Sequence, residues 1–281
     1  MRNPFNKATL FAGLAALAFA AAPAPLGAAD FVDDPEAKGD TPESVKGYEI
    51  AARSDRTDVG FGDSRVDGQM ILRNAAGQST TRDLSFATLE KEDETVGDKT
   101  LVTFNSPKDV EGTSLLSHAK ILKPDDQWLF LPALKRVKRI SSKNKSGPFV
   151  GSEFAFEDFT ITELNKYSYT YVGEDEYEGM KVDVVERLPR YEDSGYTKQI
   201  SWIDQEHFQP RKVEFYDRRG ALLKTLTLTE YRNYDGVWRA HKLSMINHST
   251  GKETDLVYGD FTFKTGLASR DFVKGVLERG R

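Results

Sequence analysis

The sequence predicts a mainly β domain: one large, strongly curved antiparallel sheet with helical cover from N-terminal, middle and C-terminal helices. Three observations carry that reading. About a dozen runs alternate apolar and polar residues with a period of two, as strands with one buried and one wetted face do. Short turn signatures separate them: Ala76-Gly77, Pro124-Asp125-Asp126, Arg219-Gly220, Asp235-Gly236 and Thr250-Gly251. Few intervals are long enough for the crossover helices that parallel strands need.

The chain opens with the layout of a secretory signal peptide over residues 1–29. Arg2 and Lys7 precede an apolar stretch from Ala8 to Ala22, and Leu26-Gly27-Ala28-Ala29 supplies small residues for cleavage. The stretch falls short of the roughly 20 residues a membrane span requires. Export of a soluble protein is therefore expected. Cysteine is absent from all 281 residues, so neither an N-terminal lipid on cysteine nor disulfide staples can contribute.

Residues 30–40, with Asp33, Asp34, Pro35, Glu36 and Asp40, read as a flexible acidic arm, and residues 41–281 as a single domain. Thr41-Pro42-Glu43 provides a hydroxyl cap, a proline at the first helical position and an acid in the first turn. The helix it starts runs to about Arg53 and aligns Val45, Tyr48 and Ala52.

The period changes to two near Ser64. Val66, Met70 and Leu72 alternate with Asp67, Gln69 and Arg73, and Leu84 and Phe86 with Asp83 and Ser85. Val102 and Phe104 follow, then Tyr167, Tyr169 and Tyr171. Val182 and Val184 oppose Lys181 and Asp183, and Ile200 and Trp202 oppose Gln199 and Ser201. Val213 and Phe215 lead to Leu222, Leu226 and Leu228 against Thr225, Thr227 and Thr229. Two stretches interrupt this rhythm. Residues 134–159 are irregular, with a short helix expected near Glu157–Leu164. At the end, Ser269 is placed to cap a helix carrying Phe272, Val276 and Leu277.

Charge and motifs narrow the function. With 39 Lys+Arg, 44 Asp+Glu and a net charge of −5, the chain is a poor nucleic-acid binder. His118, His207, His241 and His248 lack metal-ligand spacing, so no metal is expected. No nucleophile elbow, phosphate loop or dinucleotide fingerprint occurs, and no cofactor is called for. The acidic runs Glu90–Glu94 and Glu174–Glu176 read as solvated loops. Nothing points to catalysis.

Two features remain. Lys135, Arg136, Lys138, Arg139, Lys143 and Lys145 form a basic segment in a net acidic chain. It is either an edge strand protected from aggregation or a patch for anionic headgroups or an acidic partner. Trp128-Leu129-Phe130-Leu131 is apolar on both faces, and Phe149, Phe154, Phe156 and Phe159 follow in the irregular stretch. These aromatics are either plain core or the lining of a cavity for an apolar ligand.

The run Trp128-Leu129-Phe130-Leu131-Pro132-Ala133-Leu134-Lys135-Arg136-Val137, with Gly151-Ser152-Glu153-Phe154 and Glu157-Asp158, resembles the bacterial outer membrane lipoprotein-sorting proteins, relatives of the periplasmic carrier LolA. The resemblance implies a LolA-like unclosed antiparallel β-barrel whose apolar inner face is covered by helices. It also implies a soluble periplasmic, non-enzymatic carrier of a lipid or of lipoprotein acyl chains. Such a carrier works beside an inner-membrane exporter of the resistance-nodulation-division type, as a monomer with transient membrane contact. On that reading Trp128, Phe130, Phe149, Phe154, Phe156 and Phe159 line the cavity, and Lys135, Arg136, Lys138 and Arg139 dock a headgroup or partner. A sensor or adaptor that binds a protein on the same fold is the alternative.

Overall fold

Thr41 caps the first long helix as its sequence predicts. In the computed structural model, which describes residues 34–91, 96–121, 123–159 and 163–279, the Ser44 amide donates to Thr41 Oγ1 at 3.0 Å and the Thr41 amide donates to Ser44 Oγ at 3.0 Å. This reciprocal box satisfies two amides that a helix start leaves without partners, and is worth about 1 kcal/mol. The helix, α2 (Pro42–Arg56), ends with Arg53 and Arg56 in its last turn, where the dipole favours cations. Residues 1–29, expected as a signal peptide, lie outside the described residues.

The described part of the acidic arm, residues 34–40, is more ordered than expected, and residues 30–33 lie outside the described residues. Pro35–Lys38 form a one-turn helix, α1, capped by the Asp34 carboxylate. Arg190 fixes it from the body of the fold, with Nη1 at 2.7 Å from Asp34 and Nη2 at 2.9 Å from Glu36. The ion pairs and the burial of Ala37 offset the entropy that composition alone assigned to this stretch.

Among the described residues fourteen strands follow: β1 (Asp63–Arg73), β2 (Ser79–Leu89), β3 (Lys99–Ser106), β4 (Ser114–His118), β5 (Asp126–Leu131), β6 (Arg136–Ile140), β7 (Tyr167–Tyr177), β8 (Met180–Pro189), β9 (Lys198–Asp204), β10 (Pro210–Tyr216), β11 (Leu222–Tyr234), β12 (Val237–Asn247), β13 (Lys252–Tyr258) and β14 (Thr262–Phe263). They form one antiparallel sheet in the order β6-β5-β4-β3-β2-β1-β13-β12-β11-β10-β9-β8-β7, with β14 alongside β1. The sheet is not closed: β6 and β7 are its two edges. The five turn signatures fall between consecutive strands, and the Glu174–Glu176 run, expected in a loop, lies exposed within β7.

Alternation sends side chains to two cores. On the inner face Met70, Leu84, Phe104, Leu115, Leu129, Met245 and Leu256 pack with Phe149 and Phe154 of the irregular stretch. On the outer face Ala87, Leu116 and Trp128 pack with Phe272 and Leu277 at the C-terminus. The C-terminal segment is a 3-10 turn at Ser269–Phe272 followed by α3 (Lys274–Arg279). Ser269 does not cap it; its hydroxyl accepts from Lys99 Nζ at 2.9 Å, and the Ala268 amide donates to Asp271 at 2.9 Å instead.

Three further expectations are corrected. Where a helix was expected over Glu157–Leu164, the described residues form 3-10 turns at Phe156–Phe159 and Leu164–Lys166, and residues 160–162 lie outside the described residues. Leu222 is exposed because a register shift opposite Phe215 and Tyr216 turns Leu223 to the core. In β9 the parity is inverted: Gln199 and Ser201 are buried on the inner side while Ile200 and Trp202 are half-buried on the other. The outer position of Trp202 is occupied productively, with Lys212 Nζ 3.4 Å from its ring centroid and Nε1 donating to Asp175 at 3.0 Å.

Candidate ligand-binding cavity

Helix α2 meets the inner face at β7 through Gly47, where a Cβ would lie 2.7 Å from the Tyr171 amide nitrogen. Only glycine allows that approach. Tyr48 packs edge-on against Tyr169 at 5.9 Å and donates to Asn165 Oδ1 at 3.2 Å. The end of the helix then runs above the sheet, and between them lies a cavity of about 510 Å³. Its roof is Ala51, Ser54, Asp55, Thr57, Asp58 and Val59.

The strand register sets its floor. Val185, Ser201, Val213, Leu226 and Met245 are successive cross-strand partners from β8 to β12, and all face the cavity. Leu228 and Leu243, paired across β11 and β12, add a second apolar row. Beside these runs a polar row: Tyr169, Arg187, Gln199, Phe215, Lys224 and Asn247, again successive partners. Lys224 is buried and donates to Asp158 Oδ2 at 3.0 Å and to the Glu153 carbonyl at 3.1 Å. Asn247 donates to Glu153 Oε2 at 2.7 Å. The irregular stretch is thus pinned across the sheet by its own acids.

Carboxyls crowd one wall. Burial, then the neighbouring Glu163, pushes Asp98 up to about 8. Glu163 accepts from the Asp98 amide at 3.1 Å and from Lys91 Nζ at 3.1 Å. Burial, then Asp158, pushes Glu157 up to about 7, although Ser194 and the Gly195 amide donate to it at 3.0 and 2.9 Å. The wall therefore carries less negative charge at neutral pH than its composition suggests. Among the described residues no group of three His, Asp or Glu side chains is placed to hold a metal.

The aromatics expected to line a cavity are divided. Phe154 faces it, and Phe159 lines a side recess with Phe86 and Tyr258. Phe149 and Phe156 sit behind them, Phe149 packing against Phe104 and Phe159 at tilted angles and edge-on against Phe156, with centroids 5.6, 4.2 and 5.5 Å away. Trp128 and Phe130 are not with this group: strand alternation sends them to the outer face under the C-terminal segment, while Leu129 and Leu131 point inward.

Arg136, Lys138 and Arg139 lie on the edge strand β6, with Lys135 just before it and Lys143 and Lys145 after it, and none of them lines the cavity. Lys135, Arg136, Lys138 and Lys143 are exposed. Arg139 is exposed but pairs with Asp126. Lys145 leaves the patch altogether; it is buried, donates to the Asp125 carbonyl, and burial pushes its ammonium below the ordinary lysine range. The floor residues Arg187, Gln199 and Ser201 were hidden in the sequence by the apolar neighbours that alternate with them.

A family model described as "Uncharacterized protein" matches residues 97–279. No curated protein matches the sequence. Among solved structures, an outer membrane lipoprotein-sorting protein domain from Vibrio parahaemolyticus is 51% identical, with a TM-score of 0.81 over 84% of this chain and 100% of that one. A DUF1329 family protein from Desulfovibrio piger is 26% identical, with a TM-score of 0.80 over 84% and 100%. A LolA superfamily protein from Nitrosomonas europaea shares the fold at 21% identity and a TM-score of 0.66 over 82% and 98%. The open sheet under its covering helix, joined to that identity across the whole Vibrio domain, places the chain in the outer membrane lipoprotein-sorting protein family, with a LolA-like fold.

Proposed function

We propose that this protein is a non-enzymatic periplasmic carrier that takes a lipid, or the acyl chains of a lipoprotein, into the cavity beneath α2. The observation that carries this reading is the pair of largely apolar rows on the cavity floor, which offer a chain a surface across the five neighbouring strands β8 to β12. Each CH₂ moved from water to such a surface contributes about 0.8 kcal/mol. Among the described residues no helix is long and apolar enough to cross a membrane. The exposed cations of β6 supply a transient contact with anionic lipid or with a resistance-nodulation-division exporter, away from the cavity.

Native mass spectrometry of protein released from its own periplasm tests the reading. A co-purifying lipid, lost on delipidation and regained from membrane extract, is the expected result. A stoichiometric protein with no lipid would favour a sensor or adaptor instead, a reading that draws on β6 as a free edge able to accept a partner strand.

A further inference from the structure

The polar row across the cavity floor is answered unevenly. At one end Glu153 and Asp158 meet Asn247 and Lys224. At the other end stands Arg187, half-buried on β8. Its Nε donates to Gln199 Oε1 at 2.7 Å, and its guanidinium carbon lies 4.8 Å from the Tyr167 ring centroid. These contacts fix the plane of the group and leave its two terminal nitrogens without a protein acceptor among the described residues.

Other cations around the cavity differ in this respect. Lys91 has Glu163, Lys166 has Asp125, and Arg239 has Asp58. Arg187 alone among these lining cations has no carboxylate partner among the described residues. The acids nearby are largely committed: Glu90 accepts from the Gly60 and Gly62 amides at 2.6 Å each, and Asp98 and Glu157 are pushed toward their protonated forms. Asp55 on α2 also faces the cavity and acts on the same Tyr169 hydroxyl as Arg187.

We propose that Arg187, oriented by Gln199 and Tyr167, is the headgroup subsite of the cavity and binds the single anionic head of an amphiphile whose chain lies along Ser201, Val213, Leu226 and Met245. The inference rests on the carrier reading and gives its ligand a chemical class. A fixed guanidinium offers paired donors to a carboxylate or a phosphate, a geometry lysine cannot supply. The chain direction follows from the register, because the apolar row adjoins the Arg187 row along the same strands.

Calorimetric titration with decanoate, decyl phosphate and decanol, at pH 7.5 and low salt, tests this. At least one of the two anions should bind more tightly than decanol, and which one does separates a fatty acid from a phosphate lipid. Arg187→Gln should weaken that anion about tenfold and leave decanol unchanged. Arg187→Lys should fall between, and Asp55→Asn should tighten the anion alone. Thermal unfolding of each variant checks that it folds; if Arg187→Gln does not, Gln199→Leu, which releases the guanidinium, should show the same selective loss. Decanol binding as tightly as both anions, or equal weakening of all three, overturns the subsite while the cavity stands. Failure of all three to bind overturns both.

Discussion

The Asp98 amide donates to Glu163 Oε1 at 3.1 Å, so two carboxyls share one buried corner of the cavity wall. Burial, with Glu163 beside it, pushes Asp98 up from 3.8 to about 8. Between those values the folded chain holds a proton that the unfolded chain releases. Stability therefore falls as pH rises through that window, at up to about 1.4 kcal/mol per unit. Asp98→Asn keeps the oxygen that accepts from the Lys91 amide and removes the titration. Its melting temperature should match the parent near pH 4 and exceed it by several degrees at pH 8.5. Equal pH profiles for the two proteins would contradict the shift.

Filling the cavity should block binding without unfolding the chain. Leu228 is half-buried on the floor, facing the open volume. Leu228→Trp is expected to weaken binding of a fluorescent fatty acid at least about tenfold, or about 1.4 kcal/mol, with a melting temperature within a few degrees of the parent.

Trp128 belongs to the other core. Truncation to Ala should cost about 3–5 kcal/mol in denaturant unfolding, because Ala87, Leu116, Phe272 and Leu277 close over it. Combining it with Leu277→Ala should cost less than the two losses added, since both empty one cluster. Ligand affinity of whatever remains folded should not change.

The exposed cations of β6 should act at membranes and not in folding. Arg136→Glu with Lys138→Glu should shift stability by less than about 0.5 kcal/mol, as surface changes do. Flotation with anionic vesicles should fall at low salt, and the difference from the parent should fade near 1 M salt, where the Debye length is about 3 Å. Arg139 is a poorer choice for such a test because it holds Asp126.

Much of the architecture was legible because it depends on local chemistry. Thr41-Pro42-Glu43 announces α2, and five turn signatures place the hairpins. The basic stretch was recognisable as an edge because both faces of Lys135–Ile140 carry charge, and β6 is an edge. Reading which aromatics share a space was harder. Trp128 and Phe154 are close in sequence pattern yet lie on opposite faces of the sheet, a matter of strand parity that hydrophobicity cannot assign when both faces are covered. Gln199 and Ser201 failed for the converse reason: alternation reveals two faces but not which is inner, and β9 gives its polar residues to the cavity. Glu157, expected in a helix, instead serves the Ser194–Gly195 turn, a long-range contact no window of sequence contains.

The strand order carries a last consequence. Every neighbour in the sheet is also a neighbour along the chain, except where β1 meets β13 and β14. The sheet is therefore two meanders, β1–β6 and β7–β13, stitched by the ladder from Gly68↔Tyr258 to Arg73↔Glu253, its Arg73–Asp255 pair at 2.8 Å and the short pairing of β1 with β14. Their far ends, β6 and β7, are joined by a single thread, residues 141–166. Cutting that thread leaves fragments holding six and eight of the described strands, each able to form its hairpins locally, which meet along β1, β13 and β14, where α2 seats on β7, and where Phe272 and Leu277 cover Trp128.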